Sequence, residues 1–238
     1  MNPQTKHVCV IGAGIVGLST AWRLIQDGWQ VSVIEENAAP GLITSYANGA
    51  QLSYSYVAPL AEPSALTNLP KWLLQKDGPL RIHPSLSPHF LRWGLSFASH
   101  CTTALAQQTT RDLLGLGYLS RRVLREWLAD APTNSAAALA LDYRTNGKLV
   151  VFRDLAALAS ARAQVDYQRS LDVSCEQYVL SPSECVQKEP ALAAMQSKLM
   201  GGIYTPSEDV VDSHGLCKYL ERLIVSHGGK LYYDTRIT

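Results

Sequence analysis

The feature that most constrains the fold is a glycine-rich turn near the start of the chain. A short apolar run, HVCVI at residues 7–11, leads directly into GAGIVG at residues 12–17. The apolar run is typical of a parallel strand covered on both faces. The three glycines suit a tight turn, a close approach of backbone to a ligand, and close packing of the next helix. The spacing therefore predicts a strand, a turn and a helix whose first N–H groups face a pyrophosphate.

The residues that follow extend this turn into a full dinucleotide-binding pattern. Ala21 and Leu24 lie on the helix face that must pack against a sheet, and Gly28 is placed to end the helix. The run QVSVIE at residues 30–35 then predicts a second strand that ends in an acid. The Glu35 carboxylate can accept hydrogen bonds from both ribose hydroxyls of an adenosine. An acid at this position argues against the 2′-phosphate of NADP but leaves NAD and FAD open.

Composition excludes several other classes of protein. The 238 residues have a net charge of +1 and no basic run with interleaved aromatic residues, so nucleic acid is not an expected partner. The five cysteines and six histidines show no CxxC, HxxxH or HExxH spacing, so no metal site is predicted. Cys9, inside the first apolar run, is expected to be buried. No apolar run reaches the length of about 20 residues that a membrane-spanning helix needs.

A second motif separates FAD from NAD. The sequence TSYANGAQLS at residues 44–53 is followed by Tyr56, by Ala58 and Pro59, and by Lys71 and Trp72. This series resembles the FAD-dependent D-amino-acid dehydrogenases of small-subunit type, in the flavin family that includes glycine oxidase and sarcosine oxidase. The likeness continues to residue 237 through GPL (78–80), GKLVVFR (147–153), EPAL (189–192), GGIYTPSEDVVD (201–212) and GGKLYYDTRI (228–237).

The resemblance implies an α/β fold, with a Rossmann-like parallel FAD-binding sheet and part of a mixed-sheet α+β substrate domain. We expect the FAD domain to comprise residues 1–80 and, after a return, 208–238, with residues 81–207 forming a helical region and the partial substrate domain. Members of the family are nearly twice this length, so the chain is expected to be an N-terminal fragment that lacks the substrate-anchoring residues.

The resemblance also implies a set of cofactor-binding residues. Residues 12–17 would hold the pyrophosphate and Glu35 the ribose, while the loop from Thr44 would pass the ribityl and ring end of the flavin. Gly49 and Ala50 stand where close relatives have Ala and Gly. The predicted cofactor-binding residues are Ile11, Gly12, Ala13, Gly14, Ile15, Val16, Gly17, Glu35, Glu36, Thr44, Ser45, Asn48, Gly49, Gln51 and Ile237.

The implied activity is oxidation of the CH–NH2 group of an amino acid, most readily a D-amino acid, by hydride transfer to flavin N5. The imino acid would hydrolyse to a 2-oxo acid and ammonia. No catalytic side chain is predicted; Arg81, Arg92 and Arg144 are conceivable carboxylate anchors, although solvated surface arginines are the simpler interpretation. The electron acceptor is left open between oxygen and a quinone or respiratory chain. We expect a cytoplasmic protein, with peripheral attachment to the inner face of the cell membrane as a further possibility.

Two other functions stay open from the sequence. One is an NAD-dependent dehydrogenase, which shares the glycine turn. The other is a dinucleotide-binding fragment without catalysis.

Residues 88–130 are helical in pattern, and Leu116, Leu119, Val123 and Trp127 form a stripe expected in the core. The cluster of apolar residues at 90–97 is the better candidate for membrane contact. Further strands are predicted at 148–152, 177–180, 201–205 and 230–234, with helices at 154–169, after the SPSE capping box at 181–184, and from Asp212 or Ser213 to Gly228.

Overall fold

The computed structural model describes residues 6–55, 57–67, 85, 87–129, 141–171 and 176–237. Several residues of the sequence analysis lie outside that part of the chain: Tyr56, Lys71, Trp72, residues 78–80 and Arg81. The chain forms two compact units. The first combines Met1–Leu52, Arg125–Lys148 and Pro206–Thr238, and the second combines Ser53–Leu124 and Leu149–Thr205.

The elements follow one another as an alternation of strands and helices. The strands are β1 (His7–Ile11), β2 (Gln30–Ile34), β3 (Gln51–Leu52), β4 (Lys148–Phe152), β5 (Tyr178–Leu180), β6 (Gly201–Thr205), β7 (Asp209–Val210) and β8 (Lys230–Tyr232). The helices are α1 (Ile15–Gln26), α2 (Pro88–His100), α3 (Thr103–Ala129), α4 (Leu155–Ser170), α5 (Pro182–Lys188) and α6 (Ser213–Ser226), and a 3-10 helix covers Pro190–Lys198.

The first unit contains the parallel sheet that the glycine turn predicts. Its strand order is β1-β2-β8, and β2 pairs in parallel with both neighbours. Val31 and Val33 of β2 are buried, as are Leu18 of α1 and Leu220 of α6. Helix α6 therefore returns the chain to this sheet, as the sequence predicts, and Asp212 caps it by accepting a hydrogen bond from the His214 N–H. Strand β8 ends at Tyr232, two residues before the predicted limit.

Strand β1 corrects one expectation. Cys9 is exposed, and Ile11 is 71% exposed, so the strand is not covered on both faces by the described residues. Val10 points towards α1, since its Cγ1 lies 3.5 Å from the position of a Cβ added to Gly17. Because side chains alternate along a strand, His7, Cys9 and Ile11 share the opposite face. An apolar run identifies the strand but not which of its faces is covered.

The second unit contains a smaller sheet of strand order β4-β6-β5, in which β5 and β6 run antiparallel. The bounds of β4 and β6 confirm the predicted strands, and α4 lies within one residue of its predicted helix. The capping box at α5 is also confirmed, because the Ser181 and Glu184 side chains bond each other's backbone N–H groups. The EPAL motif opens the 3-10 helix, which the sequence analysis did not predict.

The predicted helical region at 88–130 is two helices, α2 and α3, separated at Cys101 and Thr102. The predicted core stripe on α3 is wrong for two of its four residues: Leu116 is 62% exposed and Leu119 is also exposed, whereas Val123 and Trp127 are half-buried. The buried residues of α3 are Thr110, Leu114 and Leu124. A Cβ at Gly117 would lie 2.6 Å from the Tyr54 carbonyl oxygen, so this glycine lets the neighbouring backbone approach and selects the face that packs. No helix in the described ranges is both long and apolar enough to cross a bilayer.

Candidate cofactor site

The glycine turn is fixed to the sheet at the end of β1. Gly12 has a φ of +97°, a left-handed conformation that a residue with a side chain rarely adopts. Its N–H donates to the Ile34 carbonyl of β2 at 2.7 Å, which joins the turn to the central strand. The turn therefore lies at the carboxyl edge of the parallel sheet, where α/β proteins bind their ligands.

Gly17 allows helix α1 to start directly against this turn. A Cβ at Gly17 would lie 2.0 Å from the Gly12 carbonyl oxygen, much too close for any side chain. Gly14 is the N-cap residue of α1 and has no side chain to bond the helix terminus. The Ser45 hydroxyl takes that role from the loop after β2, because the Ile15 N–H donates to Ser45 Oγ at 3.1 Å. Ser45 thus holds its loop beside the positive end of the helix.

The Glu35 carboxylate lies buried beside the turn, and it is held by N–H donors. Its Oε2 accepts from the Ala13 N–H at 2.6 Å, and its Oε1 accepts from the Asn37 N–H at 2.9 Å and from the Asn37 side-chain amide at 2.5 Å. Burial by itself would raise the pKa of Glu35, but the backbone N–H groups of Ala13 and Asn37 and the Asn37 amide together lower it. Glu35 is therefore ionised at neutral pH.

These hydrogen bonds limit how Glu35 can receive a ribose. A carboxylate has about four lone-pair positions, and on Glu35 three of them already accept hydrogen bonds from N–H donors. One hydroxyl can be accepted directly. A second needs the Asn37 side chain, which is only half-buried, to turn away from Oε1.

A cavity of about 470 Å³ opens at this edge of the sheet. It lies at the ends of all three parallel strands and beside the glycine turn. Its walls include eight of the predicted cofactor-binding residues: Ile11, Gly12, Gly14, Glu35, Glu36, Thr44, Ser45 and Ile237.

The other predicted residues lie outside the walls of this cavity. Ala13 is fully buried and reaches the site through its N–H, and Gly17 acts through helix packing. Val16 is 78% exposed on the first turn of α1. It directly follows Ile15, whose N–H donates to Ser45 Oγ.

The end of the loop, from Asn48 to Gln51, is held by internal bonds. Asn48 Nδ2 donates to Ser213 Oγ at 2.9 Å, and Asn48 Oδ1 accepts from the Ala50 N–H at 2.8 Å. Gln51 pairs with Val210 between β3 and β7, and Gly49 is exposed. The flavin contacts of Asn48, Gly49 and Gln51 stay predictions.

Seven wall residues were missing from the sequence prediction. Ile34 directly precedes Glu35 and Asn37 follows it by two residues, so their position at the strand end was the available signal. Thr235 and Arg236 follow β8, whose parallel pairing with β2 brings them to the same edge. Residues 41–43 continue the loop, and the Gly41 N–H donates to the Ala13 carbonyl at 2.9 Å.

The conceivable anchors within the described chain lie on exposed surface. Arg92 is exposed on α2, and Arg144 forms an exposed ion pair with Asp142 at 2.5 Å. Tyr54 is buried, and the Arg121 guanidinium lies 5.6 Å from the centre of its ring. In the described residues, no group of three or more His, Cys, Asp and Glu side chains could hold a metal ion.

The geometry fits the adenosine diphosphate part of a dinucleotide. Gly12 and Gly14 line the cavity without side chains that would separate the turn from a diphosphate, and the helix terminus supplies a favourable dipole. Glu35 supplies an ionised acceptor on the sugar side.

Comparison with known proteins identifies a family and similar members of it. A family model described as FAD dependent oxidoreductase matches residues 7–238. D-amino acid dehydrogenase 2 of Ralstonia nicotianae is 53% identical over 211 residues, covering 89% of this chain and 48% of the relative. D-amino acid dehydrogenase 2 of Pseudomonas aeruginosa is 43% identical over 236 residues, covering 99% of this chain and 54% of the relative.

A solved structure shares the fold. Glycine oxidase from Geobacillus kaustophilus superposes with a TM-score of 0.65 at 16% identity, covering 98% of this chain and 48% of that one. At that identity the likeness concerns the fold alone. The chain spans about half the length of the curated relatives it matches.

Proposed function

The chain belongs to the family of FAD dependent oxidoreductases, and from that premise we propose that its protein oxidises the CH–NH2 group of a D-amino acid. The membership confirms the resemblance stated from the sequence and does not favour an NAD-dependent dehydrogenase. Bound FAD supplies the acceptor for the hydride that leaves Cα. The amine loses a proton to water, and the resulting imino acid hydrolyses to a 2-oxo acid and ammonia.

The observation that carries the cofactor proposal is the Glu35 carboxylate, ionised and held beside the glycine turn by the Ala13 N–H. The substrate class follows from relatives whose names specify D-amino acid dehydrogenase, at 53% and 43% identity. These relatives are about twice as long, so the activity is proposed for the whole protein.

The described residues would bind and orient the adenine half of the cofactor. Gly12, Gly14 and Ile15 would surround the diphosphate, and Glu35 would accept a ribose hydroxyl. Ser45 would keep the loop against the start of α1, where its hydroxyl already accepts the Ile15 N–H. Because the turn and loop are preformed, little ordering entropy is lost on binding.

Helix α2 supports a further proposal, that the protein attaches peripherally to the cytoplasmic face of a membrane. None of its side chains is buried, and Leu95 is 75% exposed. The rings of Phe90, Trp93 and Phe97 stack at centroid distances of 5.9 and 5.5 Å. The helix carries Arg92 and no acidic residue, a composition suited to an anionic lipid surface.

The test of the activity starts from the complete reading frame that contains these residues. The purified protein should carry a flavin absorbance near the blue end of the visible spectrum and reduce a dye acceptor with D-amino acids. Each L-enantiomer serves as the matched control. A yellow protein that turns over L- but not D-amino acids contradicts the substrate proposal, and a folded protein that is colourless and takes up no FAD contradicts the cofactor proposal.

Membrane attachment is tested separately by flotation with vesicles of phosphatidylglycerol and phosphatidylcholine. The double variant Leu91→Ser/Leu95→Ser should lose vesicle binding while keeping its flavin. Leu105→Ser, an exposed leucine on α3, is the control. Equal flotation of all three proteins would refute the role of α2.

A further inference from the structure

The second unit contains a cavity of its own, built from elements unrelated to the glycine turn. It has a volume of about 370 Å³, within the range of small-molecule pockets. Phe152 of β4, Ile203 of β6 and Val165 of α4 form apolar wall. Ala157 and Ser160 of α4 are exposed, so the cavity opens to solvent along this helix.

The polar part of the wall is unusual because it includes buried amides. Gln168 is 1% exposed and Gln177 is 4% exposed, and both line this cavity. Glutamine is seldom fully buried, and a buried amide is costly unless each polar atom finds a partner. Gln168 meets that need by donating to the Ser55 carbonyl at 3.1 Å, while Gln177 donates to Thr205 Oγ1 at 3.3 Å.

Two amide atoms of the wall are buried without a hydrogen-bond partner. They are Oε1 of Gln177 and Nε2 of Gln164 on α4. The hydrogen bond to Thr205 assigns the orientation of the Gln177 amide, in which Nε2 donates and the carbonyl oxygen is the atom left without a partner. Leaving such an atom unpaired is unfavourable, so a group that supplies the missing partner binds favourably.

The charges of the wall define what kind of group this is. Glu62 is the one charged side chain among the described residues that line the cavity, and neither lysine nor arginine is present there. A carboxylate or phosphate would enter without a counter-charge and next to Glu62, which is unfavourable. A group with one donor and one acceptor matches Gln177 and Gln164 together, and the apolar wall matches a hydrocarbon body.

We propose that this cavity is a second ligand site of the protein, selective for a small uncharged molecule that carries a carboxamide on an apolar body. The carboxamide N–H donates to Gln177 and its carbonyl accepts from Gln164. The site goes beyond amino-acid oxidation and requires neither flavin nor turnover.

The test uses three probes of one shape: benzamide, benzoate and benzylamine. Each is titrated into the purified protein from the complete reading frame, and binding is measured by ligand-detected NMR and thermal shift. Benzamide is expected to bind with a Kd of about 1 mM or tighter, a normal affinity for a ligand of this size. Benzoate and benzylamine are expected to bind at least about tenfold more weakly. Benzoate is negatively charged and has no donor, and protonated benzylamine is positively charged and has no acceptor.

Variants tie the binding to this cavity. Ala161→Leu fills it from α4 and should abolish benzamide binding, whereas Ala163→Leu, exposed on the same helix and outside the wall, should not. Gln177→Leu should weaken benzamide about tenfold by removing its acceptor. The flavin absorbance of every variant is recorded, so loss of the cofactor is distinguished from loss of the probe.

Four results overturn the proposal: no saturable binding of benzamide, equal or tighter binding of benzoate, equal or tighter binding of benzylamine, or unchanged binding in Ala161→Leu. None of them bears on the oxidation of amino acids.

Discussion

Glu35 and Asp209 are both buried carboxylates of the first unit, but the groups that surround them differ. Glu35 is held by N–H donors of Ala13 and Asn37 and faces an open cavity. The Asp209 side chain is 0% exposed, and three side chains close around it. Tyr143 and Thr145 each donate a hydroxyl at 2.7 Å, and Arg125 Nη2 lies 3.3 Å from Oδ1.

This difference indicates that Glu35 belongs to a binding site and Asp209 to a structural cluster. Asp209 has the Arg125 counter-charge, and its side chain is 0% exposed, so a ligand cannot reach it. Burial of the Tyr143 phenol and its hydrogen bond to Asp209 raise the pKa of Tyr143, which keeps its hydroxyl a donor. The donors to Glu35 in the described residues are N–H groups and not cations, and a lone-pair position of its carboxylate remains beside the open cavity. A buried carboxylate that is held only by amides next to a cavity therefore indicates a ligand.

The Asp209 cluster also bears on the loop of the cofactor site. Strand β7 pairs with β3, and the Val211 N–H donates to the Ala50 carbonyl at 3.0 Å. The end of the loop is thus held by a strand that Asp209 fixes to Arg125, Tyr143 and Thr145.

The largest effect is expected at the turn beside Glu35. Gly17→Ala would place a Cβ 2.0 Å from the Gly12 carbonyl oxygen, so the backbone must move. We expect a loss of about 3 kcal/mol or more in the free energy of unfolding, together with loss of FAD binding. Urea denaturation and flavin titration measure the two effects. Gly115→Ala on α3 is the control, because a Cβ there meets no atom within 4 Å; equal stability of Gly17→Ala and wild type would refute the close contact.

The next effect is expected at Asp209. Asp209→Asn leaves Arg125 without its carboxylate and should reduce the free energy of unfolding by about 2–3 kcal/mol, less than for a fully buried pair because Arg125 is half-exposed. Asp142→Asn removes an exposed carboxylate paired with Arg144 and should change stability by less than about 0.5 kcal/mol. Similar urea midpoints for the two variants would mean that Asp209 is not the structural carboxylate.

Glu35→Gln should mainly reduce the affinity for FAD. Replacing the carboxylate by an amide turns one acceptor into a donor, and we expect about a 10- to 100-fold loss of FAD affinity, which corresponds to about 1.4–2.7 kcal/mol. Equilibrium titration of the apoprotein measures it. If Asp209→Asn weakened FAD more than Glu35→Gln does, the assignment of the two roles would have to be reversed.

The same variant tests how the ionisation of Glu35 makes the stability of the protein depend on pH. The folded-state pKa of this carboxyl is lowered from 4.5, so above pH 4.5 the ionised group contributes to stability. This contribution is lost as the pH falls from about 4.5 through the folded-state pKa. Wild type should therefore lose stability faster than Glu35→Gln over that window in urea unfolding. Parallel pH curves would contradict the lowered pKa.

The smallest effect is expected at Ala50, where the loop meets β3. Its φ of +54° is left-handed, which costs an L-residue with a side chain about 1–2 kcal/mol. Ala50→Gly should raise stability by about 0.5–1 kcal/mol after the added freedom of the unfolded chain is subtracted. That gain corresponds to a rise in Tm of about 1–4 °C. Ala47→Gly, without a left-handed φ, should instead lower Tm, and a fall in both would disprove the strain.

The sequence by itself determined the features that depend on neighbours along the chain. Strand β1, the turn at Gly12, helix α1, strand β2 and the acid at Glu35 follow from glycine conformation and apolar periodicity, and so does the capping box at Ser181. Together with the motif at residues 44–53 they were enough to identify the family and half of the cavity wall.

Only the tertiary structure decided which faces are covered and which distant side chains meet. Periodicity could not show that Cys9 lies on an open face, or that Gly117 turns α3 so that Leu116 is exposed. It could not bring Asp209 to Arg125, or Gln177 to the cavity beside Gln164. These outcomes depend on contacts between residues far apart in the chain, whose energies no local pattern contains.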